Sequence, residues 1–137
     1  MLIDFTLGQT GIILRIKIRN STTGQGLTGL TYNSSGLTIS TICDVESSPI
    51  SYVQSGGTIS TIPTLGSYSA TLSNCAFKEV DSANHKGIYE LQIPNARFAV
   101  SGAKHCLVSL SGVASMAECD FIVPLRSINL PLSISMP

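Results

Sequence analysis

Ile12–Arg19 reads IILRIKIR. Ile12, Leu14, Ile16 and Ile18 fall on one side of an extended chain, and Arg15, Lys17 and Arg19 fall on the other. Alternation with a period of two residues is the pattern of a half-buried β-strand, one face on a core and one in water. The three cations are the nearest approach to a basic cluster, and they read as the solvated face of that strand rather than as a phosphate track.

The same grammar continues outward. Ser21–Gly36, STTGQGLTGLTYNSSG, supplies turn residues for two bends. Further strands are predicted at Leu37–Cys43, Ile50–Gln54, Thr58–Ile62, Phe77–Val80, Ile88–Ile93, Lys104–Ser111 and Glu118–Leu125. In Ile88–Ile93 the inward set is Tyr89, Leu91 and Ile93; in the last strand it is Cys119, Phe121, Val123 and Leu125. No segment carries a 3.6-residue period, and a single helical turn is expected at Asn95–Val100 with Asn95 as its cap. Ser35–Ile42 returns at Ser55–Ile62 with Leu37 exchanged for Gly57. A solenoid needs at least three copies to bury its faces, so this echo marks two similar strands and no repeat.

Short strands with turns at this spacing predict an all-β sandwich or barrel of about eight strands. The expected organisation is an N-terminal arm or first edge strand over residues 1–11, a sandwich domain over 12–125, and an extended apolar arm over 126–137. In that last stretch Ile128, Leu130, Leu132, Ile134 and Met136 alternate with Asn129, Ser133 and Ser135, and Pro131 and Pro137 restrict it to an edge strand or an extended arm. Free in water such an arm invites aggregation. It is expected to dock on its own sheet or on a neighbouring subunit by strand addition. The start offers a shorter version in Leu2, Ile3 and Phe5.

Charge is scarce. Eight basic and eight acidic residues cancel, and charged residues are 12% of the chain, about half the usual share. A neutral chain without a basic patch has no electrostatic reason to bind nucleic acid. Low surface charge also points to a surface covered by partner chains. No apolar run reaches the length of a membrane span, and Asp4 stands where a signal peptide needs a basic region. Synthesis in the cytoplasm is therefore expected, with no signal peptide or transmembrane segment.

Chemistry-bearing constellations are absent from the pattern. Cys43, Cys75, Cys106 and Cys119 contain no C-x-x-C pair, so neither zinc nor thioredoxin-type chemistry is expected, and they read as small apolar residues. Pairing of Cys106 with Cys119 across a hairpin stays open. His85 falls in a turn, and His105 points away from its neighbour Cys106 on a strand. The carboxylate pairs Asp44/Glu46, Glu79/Asp81 and Glu118/Asp120 read as strand-edge residues rather than a calcium site, since no D-x-D-x-D-G loop is present. No catalytic residue, metal or cofactor is expected, and no small-molecule ligand. A carbohydrate-binding module is the alternative from another class, with Tyr32, Tyr52 and Tyr68 as the stacking platform.

Three stretches carry a family resemblance: GLTGLTYNSSGLTISTI (Gly26–Ile42), TISTIPTLGSYSA (Thr58–Ala70) and CAFKEVDSANHKGIYELQIPNARFAVSGAK (Cys75–Lys104). They resemble a group of short tailed-bacteriophage proteins over roughly Thr22–Leu125. GIYEL (Gly87–Leu91) also looks like the immunoglobulin-like strand in which a tyrosine follows a glycine turn. The resemblance implies an all-β, immunoglobulin-like antiparallel β-sandwich of about eight strands with extended terminal arms, serving as a virion structural protein. Within that class the length favours a head decoration (cement) protein, clamping major capsid subunits through its sandwich and its arms. A tail, baseplate or fibre-attachment component is the alternative. It further implies a homo-oligomer located in the virion, with the major capsid protein or other virion proteins as partners. No catalytic residue comes with it.

Overall fold

The computed structural model describes residues 4–127. Among these the strands are β1 (Phe5–Thr6), β2 (Ile13–Lys17), β3 (Thr38–Cys43), β4 (Ile50–Val53), β5 (Ile59–Thr61), β6 (Cys75–Asp81), β7 (His85–Gln92), β8 (His105–Ser111) and β9 (Cys119–Arg126). Each of the eight segments expected to be strands between Ile12 and Leu125 is one, with boundaries moved by at most three residues. They form two sheets, in the orders β1-β9-β8-β3-β4 and β2-β7-β6-β5.

The strand order is that of an immunoglobulin-like Greek key. β2, β7 and β6 take the B, E and D places, β3, β8 and β9 take C, F and G, and β4 is the extra edge beside C. Two pairs depart from the antiparallel expectation. β1 runs parallel to β9 through Phe5↔Leu125 and Thr6↔Arg126, and β5 runs parallel to β6 through Ile59↔Cys75. Among the described residues before β2, Phe5–Thr6 form a short edge strand.

The core lies between the sheets, where the inward sets meet. Ile12, Ile16 and Ile18 join Tyr89, Leu91 and Ile93 within one layer, against Ile39, Cys106, Val108, Leu110, Val123 and Leu125 of the other. Phe77 and Tyr89 stack with ring centroids 4.9 Å apart. The Tyr89 hydroxyl donates to the Leu27 carbonyl at 2.6 Å and accepts from the Leu30 amide at 3.2 Å, so it fastens the Ser21–Gly36 loop to the core. This tyrosine stands on the E-place strand, not on the F-place strand that carries the tyrosine corner of immunoglobulin domains.

The echoed segments became β3 and β5, in different sheets. Ile39 and Ile59 occupy the equivalent buried position. Gly36 has a special task at the head of β3. Its φ is +88°, and a Cβ there would stand 2.5 Å from the Gly112 carbonyl oxygen, so β3 and β8 approach where neither can carry a side chain.

The expected helical turn is a 3-10 turn at Asn95–Phe98. Asn95 does not cap it: its Oδ1 instead accepts the Gly11 amide at 2.9 Å, tying the approach to β2 to the turn that follows β7. Between β5 and β6 the chain crosses the outer face of β7. Two fully buried polar residues hold it there. Glu90 accepts the Gly66 amide at 3.0 Å, and Gln92 Oε1 accepts the Ser69 amide at 2.6 Å and the Ala70 amide at 3.2 Å. The Gln92 amide group donates to the Ser67 carbonyl and to Glu90 Oε2.

Candidate interaction surfaces

The groups with chemical potential are scattered. His85 begins β7 and meets Asp81 at 3.2 Å on the surface, while His105 lies on the outer face of β8. Asp44 and Glu46 do not share a strand face, because β3 ends at Cys43 and both sit in the following turn. Asp44 there accepts the Lys104 amide at 2.9 Å, which holds its carboxyl below the usual range. Glu46 turns the other way, into Arg97. Asp81 closes its own turn by accepting the Ala83 and Asn84 amides. Among the described residues no group of three or more His, Cys, Asp or Glu side chains is placed to hold a metal ion.

The cations of β2 are not simply solvated. Arg15 donates to Glu90 Oε1 through Nε at 3.1 Å and Nη2 at 3.0 Å, Lys17 Nζ donates to the Lys86 carbonyl, and Arg19 Nη1 to the Gly24 carbonyl. They serve as ties between neighbouring segments. Cys106 does not face Cys119, since its cross-strand partners are Cys43 on β3 and Val123 on β9, and Cys119 pairs with Leu110. All four thiols are free.

The three tyrosines do not build a platform. Tyr52 is a core residue, 5% exposed, with its hydroxyl pushed up to about 12 by burial. Tyr68, in the segment that crosses β7 between β5 and β6, is half-buried and donates to the Ile93 carbonyl at 2.7 Å. Tyr32 alone stands at the surface, beside a hollow of about 260 Å³ shared with Thr31, Phe77, Lys78 and Glu79. One exposed ring over so small a hollow offers a sugar little area to stack on.

The outer face of the five-stranded sheet is more distinctive. Cross-strand register aligns Ile42, Leu107 and Ile122 in one row over β3, β8 and β9. Leu107 is 37% and Ile122 57% exposed. The next row is Ser51, Ser40, Ser109 and Asp120. The result is an outer face with an apolar row, bordered on one side by serine hydroxyls and Asp120 and on the other by His105 and Pro124. Sequence reading missed it. The signal was present in the runs Cys106-Leu107-Val108 and Phe121-Ile122-Val123, each of which puts an apolar residue at an outward position between two inward ones.

A second apolar feature lies at the seam of the sandwich. β2 is an edge strand, and β1 covers only Leu125 and Arg126 of β9. Between the uncovered parts of β2 and β9 lies a cleft of about 250 Å³ lined by Leu14, Arg15, Ile16, Lys17, Cys119 and Phe121. Leu14, Cys119 and Phe121 have inward parity yet stay half-buried, because no strand fills that lane. Of the expected assembly residues, Phe5 packs on its own core through β1. Leu2, Ile3, Ile128, Leu130, Leu132, Ile134 and Met136 lie outside the described residues.

Among the described residues no helix is long and apolar enough to cross a membrane. Comparison with family models, with curated proteins and with solved structures finds no match for this chain.

Proposed function

We propose that this chain is a non-enzymatic structural subunit of a tailed-bacteriophage virion, a decoration protein that bridges major capsid subunits and so stabilises the assembled shell. The observation that supports an assembly role is the Ile42–Leu107–Ile122 row on a nearly uncharged sheet face. Desolvating such a face costs little, because serine and threonine hydroxyls need only one new partner each and Asp120 is the single ion in the adjoining row. Apolar centres ringed by small polar groups are what stable interfaces bury. The virion itself comes from the resemblance in Gly26–Ile42, Thr58–Ala70 and Cys75–Lys104. A protein that binds only the assembled lattice stabilises it by mass action.

The experiment is a proteomic count of purified virions from the phage or prophage that encodes the chain, with wild type and Ile122→Lys compared. Stoichiometric wild-type protein in the particle, and a loss of at least tenfold for a folded Ile122→Lys, is the expected result. A chain missing from particles and free in the lysate would overturn the reading. Copy number separates its two forms, hundreds per particle for head decoration and a handful for a tail or baseplate part. The carbohydrate alternative has only Tyr32 and its hollow in its favour, and a glycan array without hits disposes of it.

A further inference from the structure

We propose that the cleft between β2 and β9 is an acceptor site for the C-terminal segment Ile128–Met136 of a second copy of this chain, which adds as a strand along the free edge of β2. This deepens the assembly reading and rests on it, since it names the self-contact through which copies are laced together.

The site has the three things strand addition needs. It has a free edge. Ile18 N donates to the Gly87 carbonyl, so by alternation Leu14 and Ile16 also turn their backbone groups to β7. The N–H and C=O groups of Ile13, Arg15 and Lys17 therefore point into the lane, where the Lys17 carbonyl meets the Cys119 thiol at 3.5 Å. It has an apolar floor, Leu14 and Ile16 on one wall and Cys119 and Phe121 on the other. It also has a preferred wall. On β9 the Leu125 amide donates to the Lys104 carbonyl of the segment entering β8, so odd-numbered residues serve β8 and even-numbered ones face the lane. Pro124 is one of these and has no N–H to offer. Bonding thus goes to β2.

The segment fits this site by pattern. Its apolar residues Ile128, Leu130, Leu132, Ile134 and Met136 share one parity, and Pro131 and Pro137 share the other. In a strand, residues of one parity share both a face and a bonding side. In a strand added parallel to β2, residues that bond to the outward-facing Arg15 and Lys17 turn their own side chains inward, so the apolar set enters the cleft bonded to β2 and both prolines fall on the outer face and the unbonded side. No backbone bond to β2 is lost. The ten residues 128–137 span about 33 Å when extended, and the five-residue edge of β2 needs about 17 Å of that. The remainder is enough to cross between neighbouring copies.

The donor is a second copy because of where β9 leads. Cys119, at its start, borders the cleft, and Arg126 lies at its far end. The chain therefore leaves the sandwich heading away from the site. Beside that exit the lane is taken: the Leu7 amide donates to the Arg126 carbonyl at 2.7 Å, and Phe5 and Thr6 pair with Leu125 and Arg126. A chain's own tail would have to turn back around β1 before it reached the cleft.

Cys119 on the cleft wall provides the test. One preparation of the full chain carries Cys119→Ser with Leu132→Cys, and a second is wild type in its tail and keeps Cys119. The two are mixed and oxidised with oxidised glutathione, and disulfides are mapped by mass spectrometry. A disulfide from the thiol introduced by Leu132→Cys to Cys119 of the other preparation is expected. Loss of oligomer is expected too, at concentrations where the wild type assembles, in a chain ended at Ser127. Single-chain Leu132→Cys that closes only on its own Cys119 overturns the proposal in favour of docking within one copy. No bond from Leu130→Cys, Leu132→Cys or Ile134→Cys also overturns it. Cross-linking without virion incorporation would sink the capsid reading and leave the acceptor site standing. Incorporation without cross-linking would do the reverse.

Discussion

Glu46 and Arg97 form a two-pronged ion pair at one end of the sandwich. Arg97 Nη1 donates to Glu46 Oε2 at 3.0 Å and Nη2 to Oε1, while Arg97 Nε donates to Thr41 Oγ1 at 2.7 Å. Arg97 is buried in the 3-10 turn after β7, and Glu46 follows β3, so the pair pins the two sheets together. The guanidinium holds the Glu46 carboxyl down to about 2 from its ordinary 4.5. Between those values the unfolded chain binds more protons than the folded one, so stability rises with pH there. The contribution is complete above about pH 4.5 and is lost as pH falls through about 2. Glu46→Gln is expected to cost about 3–5 kcal/mol at pH 7, because it strands a buried cation, and to flatten the acid limb of a urea-midpoint profile. Glu46→Leu with Arg97→Met should recover most of that loss. An acid limb unchanged in Glu46→Gln would show that the pair carries no such linkage.

The strap across β7 depends on Glu90 and Gln92. Both are fully buried, and between them they satisfy the amides of Gly66, Ser69 and Ala70. Removing a buried acceptor leaves those donors unpaired, at about 1–3 kcal/mol each. Gln92→Leu should therefore raise hydrogen exchange at Ser69 and Ala70 by an order of magnitude or more, with proteolysis appearing between Pro63 and Asn74. Exchange in β3 and β8 should stay near wild type. Uniform acceleration across both sheets would mean that the strap is not a separate unit.

The strands and the sandwich were legible because alternation is a local property: each strand of the inward sets Ile12/Ile16/Ile18 and Tyr89/Leu91/Ile93 announces its own face. Features that depend on which strands become neighbours were not. Glu90 and Gln92 look like ordinary outward residues until a crossover places a strap above them. Asp44 and Glu46 were assigned to a strand that stops at Cys43. Tyr52 reads as a surface ring beside a turn, yet on β4 it pairs with Ile39 and therefore shares its inward face. The half-burial of Leu14, Cys119 and Phe121 could not be foreseen, because it follows from β1 being only two residues long.

Gly36 and Gly112 should be the least replaceable of the glycines in the echoed segments and their neighbours. Each would place a Cβ against the other's carbonyl oxygen, at 2.5 Å for Gly36 and closer for Gly112, and both have positive φ. Gly57 also has positive φ, +71°, but meets nothing within 4 Å. Gly57→Ala therefore carries only the backbone strain of about 1–2 kcal/mol. Gly112→Ala adds a clash between two main chains, and its loss should exceed that of Gly57→Ala by about 1–3 kcal/mol. Thermal midpoints of the two variants measure the difference, and equal midpoints would deny the close approach of β3 and β8.

Thiol reactivity should rank the cysteines by depth. Burial pushes the Cys106 thiol up to about 12 and raises Cys43 and Cys75 as well, which suppresses the reactive thiolate at all three. Cys119 is also raised by burial, yet it borders the open cleft, where its Sγ lies 3.5 Å from the Lys17 carbonyl oxygen. A small aromatic disulfide reagent at pH 8 should modify Cys119 first, at least tenfold ahead of the other three, and all four together in denaturant. If copies are laced through the cleft, raising the protein concentration should slow Cys119 alone, and truncation after Ser127 should abolish that protection. Protection that is independent of concentration would place the covering strand in the same molecule.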